Sequence, residues 1–201
     1  MKSEILNLVE EDLIAGEVVI WAGQPNDRLF CRNDWKMVPY SLFLAVFSFY
    51  WEYASIVSGA PVIMPITGAI FVLFALYALV GRFFYKSYLK TNTYYYVTNK
   101  RVMTIKNLSY KKIEVKDIYY LKVINRYIDI DGSGDIEFGN IPFRMSVLIN
   151  TGMDLFNRGR RFVIVPLAFY DLDNADEVSN LINEIRKGNY GEMNKDDKKT
   201  N

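Results

Sequence analysis

Residues 37–81 read MVPYSLFLAVFSFYWEYASIVSGAPVIMPITGAIFVLFALYALVG, 45 positions with a single formal charge, Glu52. A membrane-spanning helix needs about 20 apolar residues. The stretch is therefore too long for one helix and fits two joined by a turn. Ser58, Gly59, Ala60 and Pro61 are the breakers that mark the turn. The reading is a transmembrane hairpin with spans at about 37–56 and 62–81. A buried hairpin of a soluble protein would show a polar face at helical spacing, and none is evident in either segment.

The flanks set an expected topology. Arg28, Arg32 and Lys36 precede the first span, Arg82, Lys86 and Lys90 follow the second, and the turn between them has neither Lys nor Arg. Basic residues stay on the cytoplasmic side, so both termini are expected inside, with residues 1–36 forming a cytoplasmic helix and strand segment. Trp35, Tyr40, Tyr50, Trp51 and Tyr53 fall near the expected interfaces, where aromatic belts form. Glu52 then lies near the outer interface, not at mid-bilayer. The acidic N-terminus and the late first apolar run do not resemble a cleavable signal.

Outside the hairpin the periodicity changes. Ile5, Leu6, Val9, Leu13 and Ile14 give residues 3–15 the pattern of a short amphipathic helix stopped by Gly16. Val18, Ile20 and Ala22 alternate as a strand does. After the spans, residues 94–97 and 102–106 form a hairpin around Thr98, Asn99, Lys100 and Arg101. Further strands are expected at 113–115, 118–124, 136–138 and 161–166, with a turn at 131–135. Val178, Leu181, Ile182 and Ile185 mark a final amphipathic helix, with Asp171 and Asp173 as cap candidates and Gly188 as its stop. Residues 191–201 are polar and expected to be a disordered tail. Residues 82–190 thus form a mainly-β domain, a bent antiparallel sheet or open barrel capped by the C-terminal helix.

Composition excludes several functions. The chain has no histidine, which removes the commonest general base and the commonest metal ligand and rules out serine–histidine and cysteine–histidine catalysis. The one cysteine, Cys31, allows no internal disulfide and is read as a buried or idle thiol, although its place beside the first span would permit lipidation. Net charge is +1 overall. Residues 1–81 hold 4 Lys/Arg against 8 Asp/Glu, and residues 82–201 hold 20 against 15. The second part is mildly basic, which suits an anionic membrane surface but not nucleic acid.

Several motifs carry a resemblance. Gly16, Glu17, Trp21, Gly23 and Pro25 form G-E-x-x-x-W-x-G-x-P before the hairpin, and Tyr96-Val97-Thr98-Asn99-Lys100-Arg101 follows it. Ile113-Glu114-Val115-Lys116-Asp117-Ile118 and Gly132-Ser133-Gly134-Asp135-Ile136 come next. Over roughly residues 16–187 the chain resembles the membrane-bound family of bacterial pleckstrin-homology (PH) domain proteins, in its short form with one PH-like copy. The resemblance implies two near-orthogonal antiparallel sheets capped by a helix, and an inner-membrane location in a bacterial cell. It implies little about function, because this fold hosts lipid, peptide and protein binding. Residues 141–161 form a longer connection than that fold needs.

The candidate site residues are cationic and apolar, not catalytic. Lys100 and Arg101 either solvate a tight turn or contact a lipid head group. Residues 141–161 place Leu148, Ile149, Leu155 and Phe156 beside Arg158, Arg160 and Arg161. That segment lies on the membrane with its arginines at phosphates, packs on a second subunit, or completes the core as a strand and loop. Its apolar length favours a contact outside the domain. Gly132-x-Gly134 lacks the third glycine of a phosphate loop, and Asp129, Asp131 and Asp135 lack the terminal glutamate of a calcium loop. The expectation is a non-enzymatic binding module, without cofactor or metal, whose partners are the bilayer, anionic head groups or another membrane protein. A self-assembling, membrane-tethered scaffold is the alternative, and a small transporter or enzyme a remote one.

Overall fold

The computed structural model describes residues 9–31, 33–141, 148–153 and 166–188. They form two compact units. The β unit comprises Met1–Asp27, Leu89–Ile141 and Ile164–Asn201, and the helical unit comprises Arg28–Tyr88 and Pro142–Val163.

The helical unit holds α1 (Asp34–Val57), α2 (Ile63–Leu76), a five-residue π-turn (Tyr77–Gly81) and the start of α3 (Arg82–Thr91). The run from Ile63 to Thr91 is one continuous helix, so the second helix extends ten residues beyond the expected Gly81. Both helices are long and apolar enough to cross a membrane. Their outer surfaces show why: Phe43 is 73 % exposed, Leu73 67 % and Val62 75 %. Phe43, Phe47 and Trp51, one helical turn apart, stack on one another on the outside of α1. The inner face differs from the expectation that no polar stripe recurs. Asp34, Ser41, Ser48 and Ser55 recur every seventh residue and are buried. The Ser48 hydroxyl donates to the Leu44 carbonyl at 2.7 Å and Ser41 to Val38 at 3.1 Å. These two hydroxyls are satisfied by their own helix, and small side chains of this kind let helices approach closely.

The β unit contains β1 (Val19–Gly23), β2 (Thr93–Thr98), β3 (Arg101–Asn107), β4 (Lys111–Asp117), β5 (Asn125–Ile128), β6 (Gly134–Glu137), β7 (Ala168–Leu172) and α4 (Ala175–Lys187). One antiparallel sheet runs β1-β2-β3-β4 and the other β5-β6-β7. The whole helical hairpin is inserted between β1 and β2, which are sheet neighbours paired from Val19 with Thr98 to Gly23 with Tyr95. The sequence TYYYVT of β2 explains its central place. Tyr95 and Val97 point into the main core, while Tyr94 and Tyr96 point to the opposite face. That opposite face is covered by Val9 and Leu13, from the N-terminal segment read as an amphipathic helix. The main core joins both sheets to α4 through Val97, Val102, Ile136, Phe138, Phe169, Leu172, Val178, Ile182 and Ile185. Helix α4 ends at Gly188, whose φ of 81° is the left-handed stop that a glycine supplies without strain.

Two strand assignments change. Residues 118–124 form turns and irregular chain rather than a strand, with Ile118 and Leu121 plugged into the core. Strand β7 at Ala168–Leu172 replaces a reading of Asp171 as a helix cap. The expected strand at 161–166 and the tail at 191–201 lie, except for Pro166, outside the described residues.

Candidate functional site

The motif residues on either side of the hairpin meet in the β unit. Thr98 accepts the backbone N–H groups of Lys100 (3.2 Å) and Arg101 (2.8 Å), which closes the β2–β3 turn. Every side chain of Thr98–Arg101 then reaches the segment before β1. Thr98 Oγ donates to Glu17 Oε1 at 2.6 Å. Asn99 accepts Val18 N–H at 3.0 Å and donates to the Gly16 carbonyl at 3.1 Å. Lys100 Nζ donates to the Ala15 carbonyl at 2.9 Å. Arg101 grips Glu17 with Nε at 2.9 Å and Nη2 at 2.5 Å, and Nη2 also donates to the Asp12 carbonyl. Gly16 sits at φ 72°, a conformation costly for any residue with a Cβ. Glu17 is buried. Burial is the largest single influence and pushes its pKa up, but hydrogen bonds from Arg101, Ile14 and Thr98 outweigh it and hold the carboxyl at about 2. The Arg101 pKa is raised, first by its hydrogen bond to Glu17. Lys100 and Arg101, the head-group candidates, are thus engaged by the chain itself.

The other motif residues are similarly explained. The Trp21 ring covers Gly23 so closely that a Cβ there would collide with it, and the ring stacks near Phe169 at 6.2 Å. Gly134, at φ 156°, abuts the Tyr127 carbonyl. Asp135 accepts the backbone N–H of Asp171 at 2.9 Å. Asp171, itself at φ 56°, pairs with Lys90 at 2.9 Å, both almost fully buried. Tyr95 bridges the two sheets, its hydroxyl accepting Tyr170 N–H at 3.0 Å; burial, with Asp171 and Asp135 nearby, pushes its pKa far above the ordinary value.

In the helical unit the densest polar cluster surrounds Asp34, which is wholly buried. Its two oxygens take Arg82 Nη1 at 2.5 Å and Lys86 Nζ at 2.7 Å, and the second also accepts Cys31 N–H. Residues 148–153 lie over this cluster. The Thr151 carbonyl accepts Arg82 Nη1 at 2.9 Å, and the Gly152 carbonyl accepts the Tyr77 hydroxyl at 2.7 Å. Met153 and Leu148 pack with Met37 and Ala78, and Ile149 is 8 % exposed. The described part of the long segment, Leu148 and Ile149 included, therefore packs within the helical unit. Leu155, Phe156, Arg158, Arg160 and Arg161 lie outside the described residues. Glu52, near the turn end of α1, leans over Gly68, and its buried Oε2 has no hydrogen-bond partner among the described residues.

Sequence reasoning singled out both the Thr98–Arg101 turn and Glu17 as motif residues but did not pair them, and it missed Asp34 altogether. The signal for Asp34 was present: a carboxylate at the edge of one apolar run faces cations spaced i, i+4 at the edge of the other. Among the described residues no group of three or more Cys, Asp or Glu side chains could hold a metal ion. No family model, curated protein or solved structure matches the chain.

Proposed function

We propose that this chain is a non-enzymatic, membrane-anchored module: a hairpin in the bilayer of a bacterial inner membrane carries a PH-like β domain that binds a partner at the cytoplasmic face. The observation that carries this reading is the insertion of two long, outwardly apolar helices between adjacent strands β1 and β2. The two antiparallel sheets and C-terminal helix support a PH-like architecture, though they do not name a ligand. A lipid head group at the Thr98–Arg101 turn would have to displace Glu17, so a peptide or a membrane protein is the favoured partner over a head group there. The test is topology together with capture. Cysteines at Ser58 and Lys195, in a Cys31→Ser background, are probed in intact cells with an impermeant thiol reagent. Labelling at Ser58 alone is expected, and labelling at Lys195 alone would reject the anchored-inside arrangement. In membranes, cross-linking from the β domain should give a defined adduct with a partner of constant mass.

Self-assembly is the second reading, because β4 ends the larger sheet. Lys111, Lys112 and Lys116 on that strand work against edge-to-edge pairing. Size in mild detergent separates the two readings: a monomer supports the binding module, a ring or large oligomer the scaffold.

A further inference from the structure

We infer that the π-turn at Tyr77–Gly81 is a one-residue register switch in the second apolar helix, held in its present state by the turn at residues 148–153. Three independent features converge at this point of the helical unit. The first is the π-turn itself, in the middle of an otherwise α-helical run. Such turns absorb one extra residue, are rare, and cluster at functional positions. The second is what holds it. Tyr77 at its start donates to the Gly152 carbonyl, and Arg82 just after its end donates to the Thr151 carbonyl and to Asp34. Ala78, inside it, packs with Met37 and Met153. The third is a close approach and an imperfectly satisfied group. Asn150 and Gly152 have φ of 57° and 80°, the Gly152 α-carbon abuts the Arg82 carbonyl so that only a glycine fits there, and the buried Arg82 Nε has no hydrogen-bond partner among the described residues.

The sequence Tyr-Ala-Leu-Val-Gly has no proline and no intrinsic need for a wide turn. An α-turn over the same residues would rotate all that follows by about a quarter turn. Arg82 and Lys86 would then leave Asp34. The present register is therefore chosen by contacts with residues 148–153 and Asp34, not by the helix itself. Packed elements of this kind have two discrete arrangements rather than a continuum. The input to the switch is anything that draws residues 148–153 off Tyr77 and Arg82. The output is rotation of the helix that begins at Arg82.

The test uses the full chain in lipid nanodiscs. Deleting Val80 removes the extra residue while keeping the faces before and after it in phase. Deleting Val72, in the regular part of α2, puts them out of phase. Gly152→Val drives the 148–153 turn away from Arg82. Deletion of Val80 should leave the melting temperature within a few degrees, whereas deletion of Val72 should lower it steeply. Gly152→Val should lower it by about 5 °C or more in the parent and raise hydrogen exchange at residues 79–83. In the Val80 deletion, which keeps Arg82 against residue 152, the collision should still lower the melting temperature, but exchange at 79–83 should not rise, because no wide turn is left to change register. Equal damage from the two deletions, or the same rise in exchange at 79–83 in both backgrounds, would overturn the inference. Exchange at 79–83 can be read in Gly152→Val alone, so unchanged exchange there also counts against it should a deletion fail to fold.

Discussion

Glu17 and Arg101, 84 residues apart in the chain, are joined through two N–H groups of one guanidinium on the two oxygens of one carboxylate. The apolar helical hairpin lies between them in sequence, so the pair closes the β unit across its largest insertion. Two-pronged pairing of this kind is stronger and more directional than a single ion contact. It makes a pH dependence that can be measured. Glu17 falls from an ordinary 4.5 to about 2 in the folded chain. A depressed carboxyl stabilises the fold above its unfolded value, and that contribution is lost as pH falls from about 4.5 towards 2. It should be of the order of 3 kcal/mol at neutral pH, at about 1.4 kcal/mol per tenfold change in proton affinity. Melting of the full chain in detergent, followed from pH 7 to pH 2, should show the loss, and Glu17→Gln should flatten that part of the profile. A Glu17→Gln profile parallel to the parent's would show that the pair is not coupled to folding.

Tyr95 offers a test of the contact between the two sheets. Its hydroxyl is buried and bonded to the backbone of Tyr170, and its ring stacks on Phe169 at 4.6 Å. Tyr95→Phe keeps the ring and leaves the Tyr170 N–H without its acceptor. The expected cost is about 1–3 kcal/mol, the penalty for an orphaned buried donor. Chemical denaturation of the full chain measures it. A neutral result would mean that water or a neighbour replaces the hydroxyl.

Gly134 tests a close backbone approach. A Cβ at this position would strike the Tyr127 carbonyl across the β5–β6 hairpin, and φ there is 156°. Gly134→Ala should therefore destabilise by about 1–3 kcal/mol, as forced shifts in packed structure do. Gly132→Ala meets no neighbouring atom but must hold φ 81°, so it should cost less, about 1 kcal/mol. The two variants compared by thermal melting separate collision from backbone strain. Equal losses would remove the collision argument.

The parts of the fold legible in the sequence are those with one dominant signal. Residues 37–81 announce two apolar helices because nothing but Glu52 interrupts them, and β2 and β3 announce a hairpin because β-rich runs flank Thr98–Arg101. Residues 118–124 misled, because the run Ile-Tyr-Tyr-Leu-Lys-Val-Ile is rich in β-branched and aromatic residues, although Ile118 and Leu121 plug the core from irregular chain. Strand β7 was hidden by Asp171, whose charge suggested a cap and whose partner Lys90 is 81 residues away. The clusters were less legible still. Arg82, Lys86 and Lys90 read as a basic flank facing lipid and water, but a linear sequence cannot show that each has a buried carboxylate partner at 2.7–2.9 Å, or 2.5 Å for Arg82. Pairing at long range needs the tertiary contact itself.

Those buried pairs give the last prediction. Asp34 serves two cations that are each at most 2 % exposed. Removing a buried partner leaves uncompensated charge and commonly costs about 3–5 kcal/mol. Here Asp34→Asn keeps the volume and one acceptor but removes the charge, so Arg82 and Lys86 would repel each other with nothing between them. Asp12 provides the contrast, since its pair with Lys111 is about a quarter to a third exposed on each side. Such a pair is screened by water, and Asp12→Asn should cost under about 1 kcal/mol. The measurement is the difference in unfolding free energy, in detergent, between each variant and the parent. Salt adds a second axis: the Asp12 contribution should shrink at 1 M salt, where screening acts within about 3 Å, while the Asp34 contribution should persist. If Asp34→Asn proved as mild and as salt-sensitive as Asp12→Asn, the cluster under residues 148–153 would have to be open to water, contrary to its burial.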